Sequence, residues 1–279
     1  MRTDRPLIMA IVNRTPDSFF DKGANFDESA ARRSINAAVE QGADIIDLGG
    51  VRAGSQGDPV DVEEELRRVI PTVSWARDEY PNVAVSVDTW RHEVGHAACE
   101  AGADLINDTW AAADPKLMDV AAQFGAGYVC SHTGGLAPRT DPHRVRYEDV
   151  VRDVTAAVTG LAERAVARGV PRDGILIDPT FDFGKNTWHS LELLRNLNVL
   201  VDTGWPVLVA LSHKDFIAEA LGVDCEDWDA LDVGTSASHA VAAKLGGAVF
   251  RVHEVQKANE VLKTVVRIQQ SGAVGGGPD

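Results

Sequence analysis

Eight short apolar runs are spread along the chain, and each gives way to glycine or polar residues. Leu7 to Val12 ends at Asn13, Asp44 to Leu48 at Gly49-Gly50, and Val83 to Val87 at Asp88. Asp104 to Ile106 ends at Asn107-Asp108, Tyr128 to Cys130 at Ser131-His132, and Ile175 to Ile177 at Asp178-Pro179. Val207 to Leu211 ends at Ser212-His213-Lys214. The last run, Gly247 to Val255, carries Arg251 and His253 two residues apart, so a strand presents both on one side. Polar residues gathered at the C-terminal ends of strands are how a parallel barrel builds a single site.

Helix-like segments separate the runs. Asp27 is placed as the N-cap of a helix with apolar positions at Ala30, Ile35, Ala38 and Val39, stopped by Gly42. Further helices are expected over 62–79, 94–101 and 115–124, the last two closed by Gly102 and Gly125. The longest is expected over 147–168, ended by Gly169, followed by helices over 190–196, 215–221, 236–245 and 255–270. This predicts an α/β fold, a (β/α)8 TIM barrel spanning residues 1–270 as one domain, with a disordered Gly-rich tail over 271–279. The length of 279 residues is near the roughly 250 typical of such barrels. A doubly wound open sheet is the competing architecture. No G-x-G-x-x-G follows the first run, which weakens a dinucleotide-binding version of it.

The formal net charge of −15 argues against nucleic acid as a partner, because phosphate contact needs clustered Lys and Arg. Cys99, Cys130 and Cys225 form no CxxC pair, which fits a reduced, cytoplasmic protein. No apolar run approaches the ~20 residues of a membrane span.

Asp88, Asn107 and Asp178 project from three run ends. Each Asp, like Asp108, could simply cap a helix. Together they offer carboxylate acceptors and an amide, a set suited to a flat heterocycle with ring N–H groups and a carbonyl. Lys214 adds a donor. Arg251 and His253 can hold an anion. Asn13 can offer an oxygen to a hard cation, though a lone Asn is a weak metal signal. His92, His96, His143, His189 and His239 show no metal-ligand spacing and read as surface or satisfied core histidines. Ser131-His132 and Ser212-His213 are adjacent pairs, not triads.

From Met9 to about Val255 the chain resembles the dihydropteroate synthase family. The resemblance rests on Asn13 with Thr15-Pro16-Asp17-Ser18-Phe19, on Asp47-Leu48-Gly49-Gly50, and on Ser86-Val87-Asp88-Thr89. It continues through Ile106-Asn107-Asp108, Asp178-Pro179 with Phe183-Gly184-Lys185, Ser212 with Lys214, and Arg251-Val252-His253. The resemblance implies a homodimeric barrel transferase of folate biosynthesis. It would join a dihydropterin diphosphate to p-aminobenzoate with magnesium and release diphosphate. By position, Asp88, Asn107, Asp178 and Lys214 would hold the pterin, with Arg251 flanking it. Asn13, Arg251 and His253 would face the diphosphate and its metal.

The departures are concentrated in loops. Where the family shows Glu-Ser-Thr-Arg-Pro-Gly, this chain has Val51-Arg52-Ala53-Gly54-Ser55-Gln56. Ser-Arg-Lys-Ser becomes Ser212-His213-Lys214-Asp215, which sets a like charge near an aminobenzoate carboxylate. Asn-Val-Thr becomes Asn13-Arg14-Thr15, and a Met after the fifth run becomes Thr133. Asp-Pro-Gly-Phe-Gly-Phe becomes Asp178-Pro179-Thr180-Phe181-Asp182-Phe183, with two permissive glycines lost. The expectation is a homologue that keeps much of the pterin pocket and is weak or inactive as a synthase. The alternatives are a working synthase using Arg52, a pterin enzyme with another acceptor, and a non-catalytic binding protein.

Overall fold

The computed structural model describes residues 5–15, 27–52, 59–140 and 146–271. Its strands are β1 (Leu7–Asn13), β2 (Ile45–Gly49), β3 (Ala84–Asp88), β4 (Leu105–Asp108), β5 (Gly127–Cys130), β6 (Ile175–Ile177), β7 (Leu208–Val209) and β8 (Val249–Val252). All pair in parallel in the order β6-β5-β4-β3-β2-β1-β8-β7. A parallel bridge between Ile177 and Val207 joins the ends of the row, so the sheet closes into the expected (β/α)8 barrel.

The helices are α1 (Glu28–Glu40), α2 (Val62–Glu79), α3 (His92–Glu100), α4 (Lys116–Phe124), α5 (Val150–Ala167), α6 (Thr187–Arg195), α7 (Leu197–Val201), α8 (Asp215–Leu221), α9 (Trp228–Lys244) and α10 (Val255–Gln270). Asp27 caps α1 as expected, by accepting from the Ala30 N–H, and Asp61, Asp149, Asn186 and Asp227 cap α2, α5, α6 and α9 likewise.

Three expectations need correction. Helix α9 begins at Trp228, ahead of the expected residue 236. Its outward stripe of Val233, Ala237 and Val241 is itself apolar, which hides the usual contrast between faces. The short α7 has no counterpart among the expected helices, and α5 is no longer than α2, at 18 residues each. The expectations for the loop at Pro16 to Gly23, for Ala53 to Gln56, and for the tail from residue 272 lie outside the described residues.

The two-residue period of the strands separates two cores. Ile8, Ala10, Val12, Ile46, Leu48, Val85, Val87, Ile106, Tyr128, Ile175, Phe250 and Val252 face the helices. Leu7, Met9, Ile45, Leu105, Val129, Leu176, Leu208 and Val249 pack together inside the barrel, as a floor. Two residues beyond that floor, on the same faces, stand Asp47, Asn107, Asp178 and Arg251. The strand period therefore converts an apolar barrel interior into a polar mouth. Among the described residues no helix is long and apolar enough to cross a membrane. All three cysteines are free thiols.

Candidate functional site

Arg251 is the hub of the mouth. Its Nε donates to Asp47 Oδ2 at 2.7 Å and its Nη2 to Asp88 Oδ2 at 2.8 Å, so one guanidinium joins β8 to β2 and β3. Asp47 is fully buried and also accepts from Ser86 Oγ at 2.6 Å and from Asn107 Nδ2 at 3.1 Å. Thr109 Oγ1 donates to Asp88 Oδ1 at 3.3 Å. Burial pushes the Asp88 carboxyl up and Arg251 pulls it back down, with Asp47 adding to the upward push. Burial likewise opposes the Arg251 charge, but Asp47 and Asp88 more than offset it and raise its pKa.

The amide of Asn107 has its orientation fixed by this network, because only Nδ2 can donate to the Asp47 carboxylate. Its Oδ1 is then left buried with no partner among the described residues. An orphan acceptor in a polar barrel mouth is an invitation to a ligand N–H.

The adjoining wall comes from the segments after β6 and β7. Asp178 Oδ1 accepts from the Thr180 N–H at 2.7 Å, and burial raises its pKa against the pull of that bond, Lys214, Lys185 and Arg251. Lys214 Nζ lies 4.8 Å from the Phe183 ring centre, and Phe183 meets Trp110 edge-on at 5.4 Å. The two positions where glycines are lost keep a glycine-like backbone: Thr180 has φ of 53° and Asp182 has φ of 71°. The turn is held by Lys185, whose amine burial pulls down to about 7 and whose Nζ reaches Thr180 O, Phe183 O and His132 O at 3.0, 2.9 and 2.9 Å. Thr180 Oγ1 accepts from the His132 N–H at 3.0 Å, tying this turn to the segment after β5. Gly184 belongs to the same lock, since a Cβ there would stand 2.4 Å from Thr133 O.

Asn13 ends β1 opposite Gly49, and its Oδ1 is 3.3 Å from where a Gly49 Cβ would stand, with Asp88 Oδ2 at 3.9 Å from the same point. The missing side chain keeps these two oxygens in one small space. His253 lies one residue past β8 and turns to the opposite neighbour from Arg251. Its Nδ1 is 3.1 Å from Ser212 Oγ, and its ring stacks on His213 at 5.6 Å and 17°. Burial, then His213, Arg251 and Lys214, hold its pKa well below the usual imidazole range.

The structure thus brings Asp88, Asn107 and Arg251 into one network, with Asp178 and Lys214 beside it, Asn13 near Asp88, and His253 on the flank. Asp108 caps no helix, since α4 starts later with Pro115 at its N-cap; it holds the turn after β4 instead, its carboxylate accepting from the N–H groups of Trp110 and Ala112, both at 2.9 Å, and from Tyr128 Oη. Asp47 and Lys185 were not singled out from the sequence. A carboxylate inside Ile45-Ile46-Asp47-Leu48 was the available signal, because an unpaired charge in a buried strand is costly. The expectation of a satisfied core histidine fails at His239, whose buried Nε2 has no partner among the described residues. His92 is satisfied, with Nδ1 at 2.6 Å from Asp114 Oδ2.

A closed parallel barrel whose mouth presents fixed carboxylates, an orphan amide acceptor and flanking cations defines a class of protein that takes a flat, donor-rich heterocycle. The pterin binding enzyme family matches residues 9–253, and the chain belongs to that family. Within it, the chain is a divergent member of the dihydropteroate synthase group. An inactive dihydropteroate synthase 2 from Mycobacterium leprae is 57% identical over 270 residues, covering 95% of this chain and 91% of the relative. The dihydropteroate synthase of Haemophilus influenzae is 35% identical over 92% of each chain. The solved Xanthomonas albilineans dihydropteroate synthase in complex with 7,8-dihydropteroate superposes with a TM-score of 0.84 at 36% identity, over 96% of this chain and 95% of that one.

Proposed function

We propose that this chain binds a reduced pterin in the barrel mouth and has weak or no synthase activity toward p-aminobenzoate. The observation that carries the pterin reading is the buried Asn107 Oδ1, without a partner among the described residues, on an amide that Asp47 holds in place, because a pterin edge supplies the N–H donors that such an acceptor needs. Asp88, Asn107 and Asp178 accept from the pterin, Lys214 donates to it, and Arg251 flanks the ring. Arg251 and His253 face the diphosphate. Stabilising the leaving diphosphate is the largest electrostatic task in such a reaction.

Magnesium belongs to the proposal. It is usually held by one or two protein oxygens plus substrate phosphate, and Asn13 Oδ1 beside Gly49 suits that role. When bound, the ion neutralises charge on the diphosphate.

The inactive reading is supported by the acceptor side. His213 and Asp215 replace an Arg and a Ser of the family pattern, and Thr180 and Asp182 put side chains on a turn built for glycine. The name of the Mycobacterium leprae relative supports the same reading. We also propose a cytoplasmic homodimer. Its support is an exposed apolar surface on α6, α8 and α9, where Trp188, Leu221, Val233 and Val241 are 77%, 49%, 71% and 46% exposed.

The test is calorimetric titration with 6-hydroxymethyl-7,8-dihydropterin diphosphate and magnesium, then addition of p-aminobenzoate with a diphosphate-release readout. Binding without release is expected. Release at ordinary synthase rates sinks the inactive reading, and absence of binding sinks the pterin reading.

A further inference from the structure

His253 and His213 form a stacked pair whose members answer to different partners. His253 Nδ1 is 3.1 Å from Ser212 Oγ, and its backbone N–H donates to the same oxygen at 3.3 Å. His213 Nε2 is 2.7 Å from Asp232 Oδ1, its N–H donates to Thr235 Oγ1 at 3.2 Å, and its backbone holds φ of 53°. Asp232 is in turn paired with Lys257 of α10. His213, but not His253, also lines a small cavity with Ser212, Asp232, His239, Glu254 and Lys257. The charged and titratable groups that act on His253 are Arg251 on its own strand end and His213 and Lys214 after β7, while Asp232 on α9 and Lys257 on α10 act on His213.

We infer that an anion held at Arg251 and His253 binds together with a proton, which His253 takes up from solvent, and that His213 sets how readily this happens. The inference rests on the proposed anion site and adds a residue and a linkage to it. Arg251 is already committed to Asp47 and Asp88, so its charge is largely matched before any anion arrives. His253 is the group whose charge can still change, and burial with cationic neighbours keeps it neutral in the free protein. An anion against the ring reverses that balance. Ser212 accommodates both states without moving a heavy atom. Its O–H donates to a bare Nδ1, and once Nδ1 carries the proton, Oγ accepts from it and the hydroxyl hydrogen turns away. The proton passes from water to the imidazole, and no other bond is made or broken. His213 stands where the family pattern has Arg, so a permanent cation has been exchanged for a titratable ring in parallel contact with the acceptor of the proton.

The experiment uses full-length protein with 15N-labelled histidine and inorganic diphosphate with magnesium at constant free concentration. His253 is assigned with His253→Gln. At pH 7.5 the free protein is expected to show one bare and one protonated His253 nitrogen, and the diphosphate complex two protonated nitrogens. The Kd for diphosphate is expected to rise about tenfold per pH unit above neutrality, as uptake of one proton requires. In His213→Phe, which keeps the stack without a charge, the His253 titration midpoint moves up and the Kd becomes less dependent on pH. A neutral His253 in the saturated complex overturns the inference while leaving diphosphate binding intact. An unmoved midpoint in a folded His213→Phe overturns the role of His213. No binding of diphosphate at all removes the anion site and this inference together. The wild-type measurement decides the proton uptake even when the variant does not fold.

Discussion

Asp182→Asn isolates what a carboxylate does in a turn shaped for glycine. Burial pushes the Asp182 pKa up from the ordinary 3.8 to about 6, with Asp215 adding to the push and Lys214 opposing it. A raised carboxyl is the destabilising case. Below the ordinary value, folded and unfolded chains are both protonated and the group contributes nothing. Between that value and about 6 the unfolded chain ionises first, so stability falls as pH rises, and above about 6 the loss is complete. At about 1.4 kcal/mol per pH unit, the full loss is about 3 kcal/mol, reduced to roughly 2 kcal/mol where water relaxes the charge. Asn removes the charge at constant shape and tolerates a positive φ as well as Asp does. Asp182→Asn should therefore stabilise by only about 0.5 kcal/mol at pH 4 and by about 2–3 kcal/mol at pH 8. That gain raises the thermal midpoint by about 4 °C for a chain of this size. Urea unfolding of both proteins at both pH values is the assay. A gain that is equal at pH 4 and pH 8, or a loss at pH 8, refutes the claim that the Asp182 charge is held at a cost.

Lys185→Met leaves three buried carbonyls without their donor and should cost more than about 3 kcal/mol in urea unfolding, whereas a variant within about 0.5 kcal/mol of wild type removes Lys185 as the lock of the turn. Asp88→Asn takes a carboxylate from both Arg251 and the proposed ligand, and calorimetry should show pterin affinity reduced about 10- to 100-fold. Native protein treated with a thiol reagent should react at Cys225 well before Cys99 and Cys130: burial and Asp215 raise the half-buried Cys225 thiol as well, but burial drives the Cys99 and Cys130 thiols up to about 11 and about 12 and covers them. Peptide mapping of the modified protein reads that outcome directly.

Much of the barrel is visible in the chain because β-strands that end in polar residues are a local pattern. Asn13, Asp88, Asn107 and Asp178 could be placed at a common mouth from run ends alone, since the closed parallel topology does the rest. What could not be read was pairing. Arg251 and Asp47 are 204 residues apart in sequence, and nothing near either one indicates that they share a hydrogen bond. Lys185 stood in a recognisable Phe-Gly-Lys stretch, but its three carbonyl partners come from backbone folds that side-chain patterns do not encode. The lost glycines were legible as losses. That the backbone would keep φ of 53° and 71° at Thr180 and Asp182 depends on that same lock, which only the folded chain reveals. Helix α9 began early for a different reason: a surface that is apolar outward as well as inward gives no period to follow.

The ring of strands is joined unevenly. β1 and β2 share five paired positions, whereas β6 and β7 meet through Ile177 and Val207. Local opening in a native protein follows its least stable joint, so amide exchange should begin at the Ile177 N–H, which is bonded to Pro206 O. Asp178 continues from one side of that joint and Lys214 follows the other. In the proposed site a pterin is gripped by both and so becomes a clasp across the seam, and its arrival should slow exchange there more than anywhere else in the barrel.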